Sequence, residues 1–243
     1  MNILIARVLF CGILCGTVCA NFAIAAEQDP YKIVQETTEQ VLAVAKDAKG
    51  NYEKDSVRYN AQVTAIMDKV VDFDGFARGV MGIYASKQRY QALSNEVEKA
   101  KFQERIQRFS AVFKKGVVDT YGSSLFSFNS EKIETLPPRK GDDPATGSVS
   151  VLQNIYGASG KPYTVQYSMR RNKEGEWKLL NVIVEGINLG LTYHNQFTAS
   201  VDKYNGDLEK VIANWSVEVQ ATGATHTEPA KDTLSSSKSS VSK

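Results

Sequence analysis

Cysteine is missing from nearly all of the chain. The three present, Cys11, Cys15 and Cys19, lie within the first 20 residues. Histidine is scarce as well: His194 and His226 are the two examples. A charge of one sign is also lacking, because 29 Lys and Arg stand against 27 Asp and Glu, a net charge of +2. Each shortage excludes something. Beyond residue 19 there is no disulfide, thiol nucleophile or cysteine metal site. One histidine amid the chain does not build a multi-histidine metal centre. Balanced charge without a dense basic stripe argues against a nucleic-acid partner.

What is present begins with a processing signal. Arg7 is the one charge before Glu27, and Val8–Ala20 is an apolar run of 13 residues, too short to span a bilayer. Ala23-Ile24-Ala25 then supplies a small-x-small cleavage pattern. Residues 1–25 are therefore expected to be a cleaved bacterial export signal, and the protein periplasmic. A lipoprotein is the alternative, but Gly16-Thr17-Val18 before Cys19 and Gly12-Ile13-Leu14 before Cys15 lack the Leu-small-small pattern. The mature chain loses Arg7 and all cysteine, leaving a net charge of about +1. Stability must then come from the core. With 42% hydrophobic residues overall, residues 26–216 are long enough to supply one as a single domain. From residue 217 the chain turns rich in Ser, Thr, Lys and Ala and is expected to be a disordered tail.

Between these ends the pattern runs from helices to strands and back to helices. Tyr31, Val34, Thr38, Val41, Leu42 and Ala45 recur at helical spacing, as do Tyr59, Val63, Ile66, Met67 and Val70. Asp72 is a candidate N-cap, with Val71 and Phe76 as a hydrophobic staple. In the helix that follows, Gly75, Gly79 and Gly82 each cost roughly 1 kcal/mol against Ala. That cost suggests small size is wanted, for close packing or for clearance beside a ligand. Ser86–Lys101 is charged and expected to be exposed. A long helix over about Glu96–Tyr121 carries Phe102, Ile106, Phe109, Val112, Phe113, Val117 and Tyr121 on one stripe, and Gly122 is expected to stop or loosen it. Lys132–Leu136 reads as a short strand. Ser148–Tyr156, Tyr163–Arg171 and Trp177–Glu185 read as an antiparallel meander. A helix through Tyr193, Phe197, Val201 and Tyr204 ends at Asn205-Gly206, and a last short helix carries Leu208, Val211, Ile212 and Trp215. The fold class is α+β, a curved antiparallel sheet of about four strands covered by helices.

The stretch Asn181–Phe197 turns from strand to helix at a corner bracketed by Gly186 and Gly190, where positive φ or close packing is expected. It holds no acid–base or nucleophile pair. Elsewhere, Gly157-Ala158-Ser159-Gly160-Lys161 lacks the phosphate-loop spacing and lies between strands. No G-x-S-x-G elbow occurs. Asp72 and Asp74 beside a helix start are explained by capping and the helix dipole. The remaining reading is an enclosed apolar cavity, the usual form of a ligand pocket.

The blocks VVDFDGFARGVMGIY (Val70–Tyr84), LPPR (Leu136–Arg139), GKPYTVQYSMRR (Gly160–Arg171), WKLLNVIVEGINLGLTYHNQF (Trp177–Phe197) and GDLEKVIANW (Gly206–Trp215) together resemble the MlaC, or toluene-tolerance auxiliary, family. The resemblance runs from about Asp29 to Trp215. Ser86–Lys101 and the tail depart from the pattern. The resemblance implies an NTF2-like cone and a soluble, non-enzymatic periplasmic carrier of phospholipid, without cofactor and expected to be monomeric. It implies two partners: an outer-membrane lipoprotein–porin complex and an inner-membrane ABC transporter with an MCE-domain subunit. Its role would be to maintain outer-membrane lipid asymmetry.

For such a carrier, the inward positions of the alternations above are the candidate lipid contacts. They are Phe73, Phe76, Val80, Phe109, Phe113, Val117, Val151, Val165, Tyr167, Met169, Val182, Val184, Leu189, Tyr193 and Phe197. Sealed core is the plain alternative for each, and about half are expected to touch lipid, since periodicity gives the buried face but not the void. Arg170 and Arg171 are candidates for a phosphate at the mouth, with a solvated strand end as the plainer reading. The helices flanking Asp72–Gly82 are expected to move during exchange. Rival readings are another apolar cargo such as a hopanoid, a cone-shaped isomerase or dehydratase, and a structural adaptor.

Overall fold

The computed structural model describes residues 28–48, 52–127, 130–157 and 161–217. The expected signal peptide, residues 158–160 between two of the expected strands, and the expected tail beyond residue 217 fall outside these residues. Asp29 starts the first helix, its carboxylate accepting from Tyr31 N at 2.9 Å. Proline follows at the first helical position, where no partner for its nitrogen is needed. This helix, α1, spans Pro30–Ala48, and α2 spans Tyr52–Val70 with a kink at Asp55. Then come α3 (Phe73–Met81), α4 (Lys87–Gln91) and α5 (Glu96–Ser127).

Asp72 caps α3 as expected, accepting from Gly75 N at 2.7 Å. Two of the three glycines there have local causes, while a Cβ on Gly79 would meet nothing within 4 Å. A Cβ on Gly75 would lie 2.3 Å from the Asp72 carboxylate, and Gly82 turns at φ +55 beneath the His194 ring. Neither clears space for a ligand. Within Ser86–Lys101, α4 forms, and Tyr90 packs on Phe102 with ring centres 5.6 Å apart. Gly122 does not stop α5. The helix runs on to Ser127, and the Gly122 carbonyl accepts from the buried Tyr59 hydroxyl at 3.2 Å. Packing against α2 overrides the propensity cost of glycine.

Five antiparallel strands follow in the order β1-β2-β3-β4-β5, one more than the sequence suggests. They are β1 (Ser130–Thr135), β2 (Ser148–Gly157), β3 (Pro162–Arg171), β4 (Trp177–Val184) and the two-residue β5 (Ile187–Asn188). Met169 pairs with Leu179 while Ser168 pairs with Asn181, so Leu180 is an inserted bulge residue. The bulge switches the parity of β4 and adds twist, so Trp177 and Leu179 share the inner face with Val182 and Val184. The outer face carries Thr164, Gln166, Ser168 and Arg170.

A tight turn at Glu185 (φ +48) and Gly186 (φ +82) joins β4 to β5. Both residues have positive φ, as a two-residue hairpin of the I′ kind requires. Gly190 answers the other expectation for this corner: a Cβ there would meet Asn181 Oδ1 at 2.6 Å. That same oxygen accepts from Gly190 N at 2.9 Å, and Asn188 caps the new helix by accepting from Leu191 N at 3.0 Å. Helix α6 spans Leu189–Lys203 and α7 spans Leu208–Ala213. On the outer side of β4, Val71 forms an isolated parallel bridge with Leu179.

The interior divides in two. A large core holds α3, α5, α6 and α7 together through interlocked rings. Phe109 lies edge-on to Phe197 at 4.9 Å and to Trp215 at 5.2 Å, and Phe113 lies edge-on to Tyr193 at 5.5 Å. A small separate cluster of Ala45, Tyr59, Val63 and Val118 holds the α1–α2 hairpin to α5. Met67 packs against both.

Candidate functional site

A cavity of about 230 Å³ lies where the two cores meet. Its helical walls come from Val34, Thr37, Thr38, Val41 and Leu42 on α1, Val63, Met67 and Val70 on α2, and Val117, Val118, Tyr121 and Gly122 on α5. Val71 lies at the junction before α3, and Ile133, Ile155, Tyr167, Met169 and Leu179 form the sheet floor. None of these 18 residues carries a charge. The local folding explains the void. Large rings fill the space under α3 and α6, while this half is lined mainly by aliphatic and hydroxyl side chains.

Three of the inward positions chosen from periodicity reach the cavity: Val117, Tyr167 and Met169. Phe73, Phe76, Val80, Phe109, Phe113, Tyr193 and Phe197 are instead packed into the large core. Val151 and Val165 are buried on the inner sheet face. Val182 and Leu189 pack at the margin of the large core, and Val184 is half-buried. None of these lines the cavity. Helix α3 belongs to the sealed half, and Val70 and Val71, just before it, are what touches the void. Arg170 is exposed, and the Arg171 guanidinium sits 4.8 Å above the Trp177 ring. Neither lines the cavity. Sequence reasoning missed the α1 and α2 walls. The available signal was Thr37-Thr38 set within an otherwise apolar stripe.

Polar atoms touch the cavity at few points. The Thr38 hydroxyl lies 2.8 Å from the Val34 carbonyl and 3.1 Å from Gln153 Oε1. Gln153 is fully buried, and its amide donates to Thr135 Oγ1 at 3.1 Å. The Tyr167 hydroxyl shares a hydrogen bond with Thr38, yet burial dominates and pushes its pKa up to about 12. Across the cavity the Tyr121 and Tyr193 hydroxyls lie 2.5 Å apart. Burial foremost, then the bond to Tyr121, pushes the Tyr193 phenol upward.

Other titratable groups are engaged elsewhere. His194 Nδ1 is 2.9 Å from the Val80 carbonyl, tying α6 to α3. A second hollow between the ends of α1 and α2 contains Asp47, Asp55 and Arg58, a charged lining unsuited to hydrocarbon. Among the described residues no group of three or more His, Cys, Asp or Glu is placed to hold a metal. No helix among them is long and apolar enough to cross a membrane.

The family model described as MlaC protein matches residues 35–217, a span that includes every wall of the cavity except Val34. This chain belongs to the MlaC family. A relative within reach of that family span is the toluene tolerance protein ttg2D of Pseudomonas putida. It is 34% identical over 194 residues, covering 80% of this chain and 83% of the relative. Among solved structures, the chain is similar to a phospholipid-binding protein from Ralstonia solanacearum, determined in complex with a phospholipid. The TM-score is 0.58 at 23% identity, over 76% of this chain and 98% of that one. That likeness extends the MlaC assignment to the fold: helices over an antiparallel sheet.

Proposed function

We propose that this chain is a periplasmic phospholipid carrier that holds acyl chains in the cavity between α1, α2, α5 and the sheet. It shuttles lipid between an outer-membrane lipoprotein–porin complex and an inner-membrane ABC transporter with an MCE-domain subunit, and so maintains outer-membrane lipid asymmetry. The phospholipid is cargo, and the process uses no catalytic residue or cofactor of this chain. The observation that carries this reading is the uncharged cavity in a chain of the MlaC family. The phospholipid bound by the Ralstonia protein of like fold supports it.

Two acyl chains carry on the order of 30 CH₂ groups, and taking them from water is worth roughly 24 kcal/mol gross. Against a membrane the balance is close to neutral, because one apolar site replaces another. Direction then comes from the partners at each end. A charged head group belongs outside, since no cation lines the wall to pair with it. An acid–base enzyme would need a carboxylate or histidine facing the cavity, and the lining offers none.

The cavity, at about 230 Å³, falls below the roughly 300–1,000 Å³ typical of ligand pockets. Loading therefore spreads the walls. The α1–α2 hairpin, backed by four buried residues, gives way more readily than the ring-locked α3. Native mass spectrometry of protein purified from the periplasm, followed by lipid extraction, tests the reading. Phospholipid at fixed stoichiometry is expected. A ligand-free protein, or a hopanoid in place of phospholipid, overturns it.

A further inference from the structure

We propose that the Tyr121 hydroxyl donates a hydrogen bond to the cargo and selects acyl esters, with their carbonyl oxygens, over ether-linked or purely hydrocarbon ligands. This deepens the carrier reading and rests on it.

The Tyr121 and Tyr193 hydroxyls lie 2.5 Å apart, and among the described residues each has the other as its hydrogen-bond partner. Two hydroxyls bring two protons, and one hydrogen bond joins them. One O–H is therefore left over. Tyr193 is 1% exposed, with its ring edge-on to Phe113. An undonated proton there would be buried without an acceptor, which is costly. Tyr121 instead lines the cavity. The lower-energy arrangement has Tyr193 donating to Tyr121, which leaves the Tyr121 proton as the one free to turn towards the cavity that this residue lines. The upward displacement of the Tyr193 phenol, with Tyr121 as its second cause, agrees with Tyr193 as donor.

Accepting one bond strengthens the other that a hydroxyl can give, so Tyr121 is a good donor facing an apolar space. The other phenol at the wall, Tyr167, is already bonded to Thr38. The fitting ligand atom is a neutral acceptor carried next to hydrocarbon, and an ester carbonyl is that. A free carboxylate would bring a charge that nothing on the wall balances.

The test uses the full mature chain, stripped of lipid and incubated with vesicles holding equal amounts of two phosphatidylethanolamines. The two have identical chain lengths, one diester and one diether, and mass spectrometry counts what each protein takes up. Wild type is expected to prefer the diester about fivefold, the worth of one ordinary hydrogen bond. Tyr121→Phe should bring the ratio near one. Tyr193→Phe should keep most of the preference for the diester, because the Tyr121 proton remains and only the modest strengthening from the accepted bond is lost. Thermal unfolding confirms that both variants fold. Equal uptake by wild type, an unchanged preference in Tyr121→Phe, or loss of preference in Tyr193→Phe each overturns the inference while leaving the carrier reading standing. Uptake of neither lipid by wild type overturns the carrier reading, and the inference with it.

Discussion

The Thr38 hydroxyl on α1 lies 3.1 Å from the side-chain oxygen of Gln153 on β2, so the helical cover of the cavity is pinned to its floor by a polar bond in an apolar setting. Gln153 is fully buried. Thr38→Val keeps the shape but strips Gln153 and Tyr167 of a partner. Unfolding in urea should show a loss of about 1–3 kcal/mol. The double variant Thr38→Val/Gln153→Leu should lose less than the two single changes added, because they share one network. Strict additivity would show that the pin carries no energy.

Tyr167 makes an alkaline signature. Burial holds its phenol neutral and raises its pKa from 10.0 to about 12. A raised folded value means its contribution to stability is complete below pH 10 and fades as pH climbs from 10 towards 12. Tyr193 acts in the same direction. Tyr167→Phe should make the loss of stability across that window shallower, read from melting temperatures at successive pH values. An unchanged slope would place the phenol in contact with solvent.

Filling the void and emptying the core should have opposite effects. Ile155→Phe projects bulk from the floor into the cavity. It should reduce bound lipid to less than half of wild type while changing stability by no more than about 1–3 kcal/mol. Phe197→Ala opens a hole in the ring-locked half and should cost about 3–5 kcal/mol. Protein that remains folded should still load at the wild-type ratio. Reversal of this pattern in extracted-lipid counts would move the site to the aromatic core.

Glu209 on α7 receives Arg105 Nε at 2.9 Å and Arg108 Nη2 at 2.5 Å from α5. The Arg105 bond foremost, with Arg108 adding to it against a counteracting burial effect, holds the Glu209 carboxyl below its usual range. A lowered folded value stabilises above the ordinary pKa of 4.5 and is lost as pH falls through the folded one. Because these side chains are partly exposed, Glu209→Gln should cost no more than about 1 kcal/mol at pH 7. The variant and wild type should converge on acidification, a comparison that thermal melts at pH 7 and pH 3 can make.

The order of the main elements, though not α4 or β5, the Asp72 cap and the Gly186/Gly190 corner are legible in the sequence, because each follows from local chemistry. The ending of α5 was misread at Gly122, where Tyr59, distant in sequence, supplies the reason to continue. The bulge at Leu180 was invisible, since it shows only against the partner strand. The aromatic positions expected as pocket walls lie outside the cavity for a physical reason. Large rings such as Phe109 and Phe197 fill volume, so a stripe of them marks where space has been used up. Space remains where α1 and α2 present Val41, Leu42, Val63 and Thr37 to the sheet. Periodicity identifies the inner face of an element, while a void depends on the sizes of side chains facing each other across elements.

The bridge from Val71 to Leu179 has a consequence for crowding. An open sheet invites strand addition along its edges. Here Asp72 N donates to Leu179 O at 3.0 Å, occupying one end of the β4 edge, and β5 pairs with Ile183 and Val184 at the other. The opposite margin, β1, carries the paired charges of Lys132 and Glu134. A protein whose hairpin lifts to hand over cargo exposes apolar wall for a moment. With both margins of its sheet blunted, that moment offers a neighbouring copy little on which to polymerise.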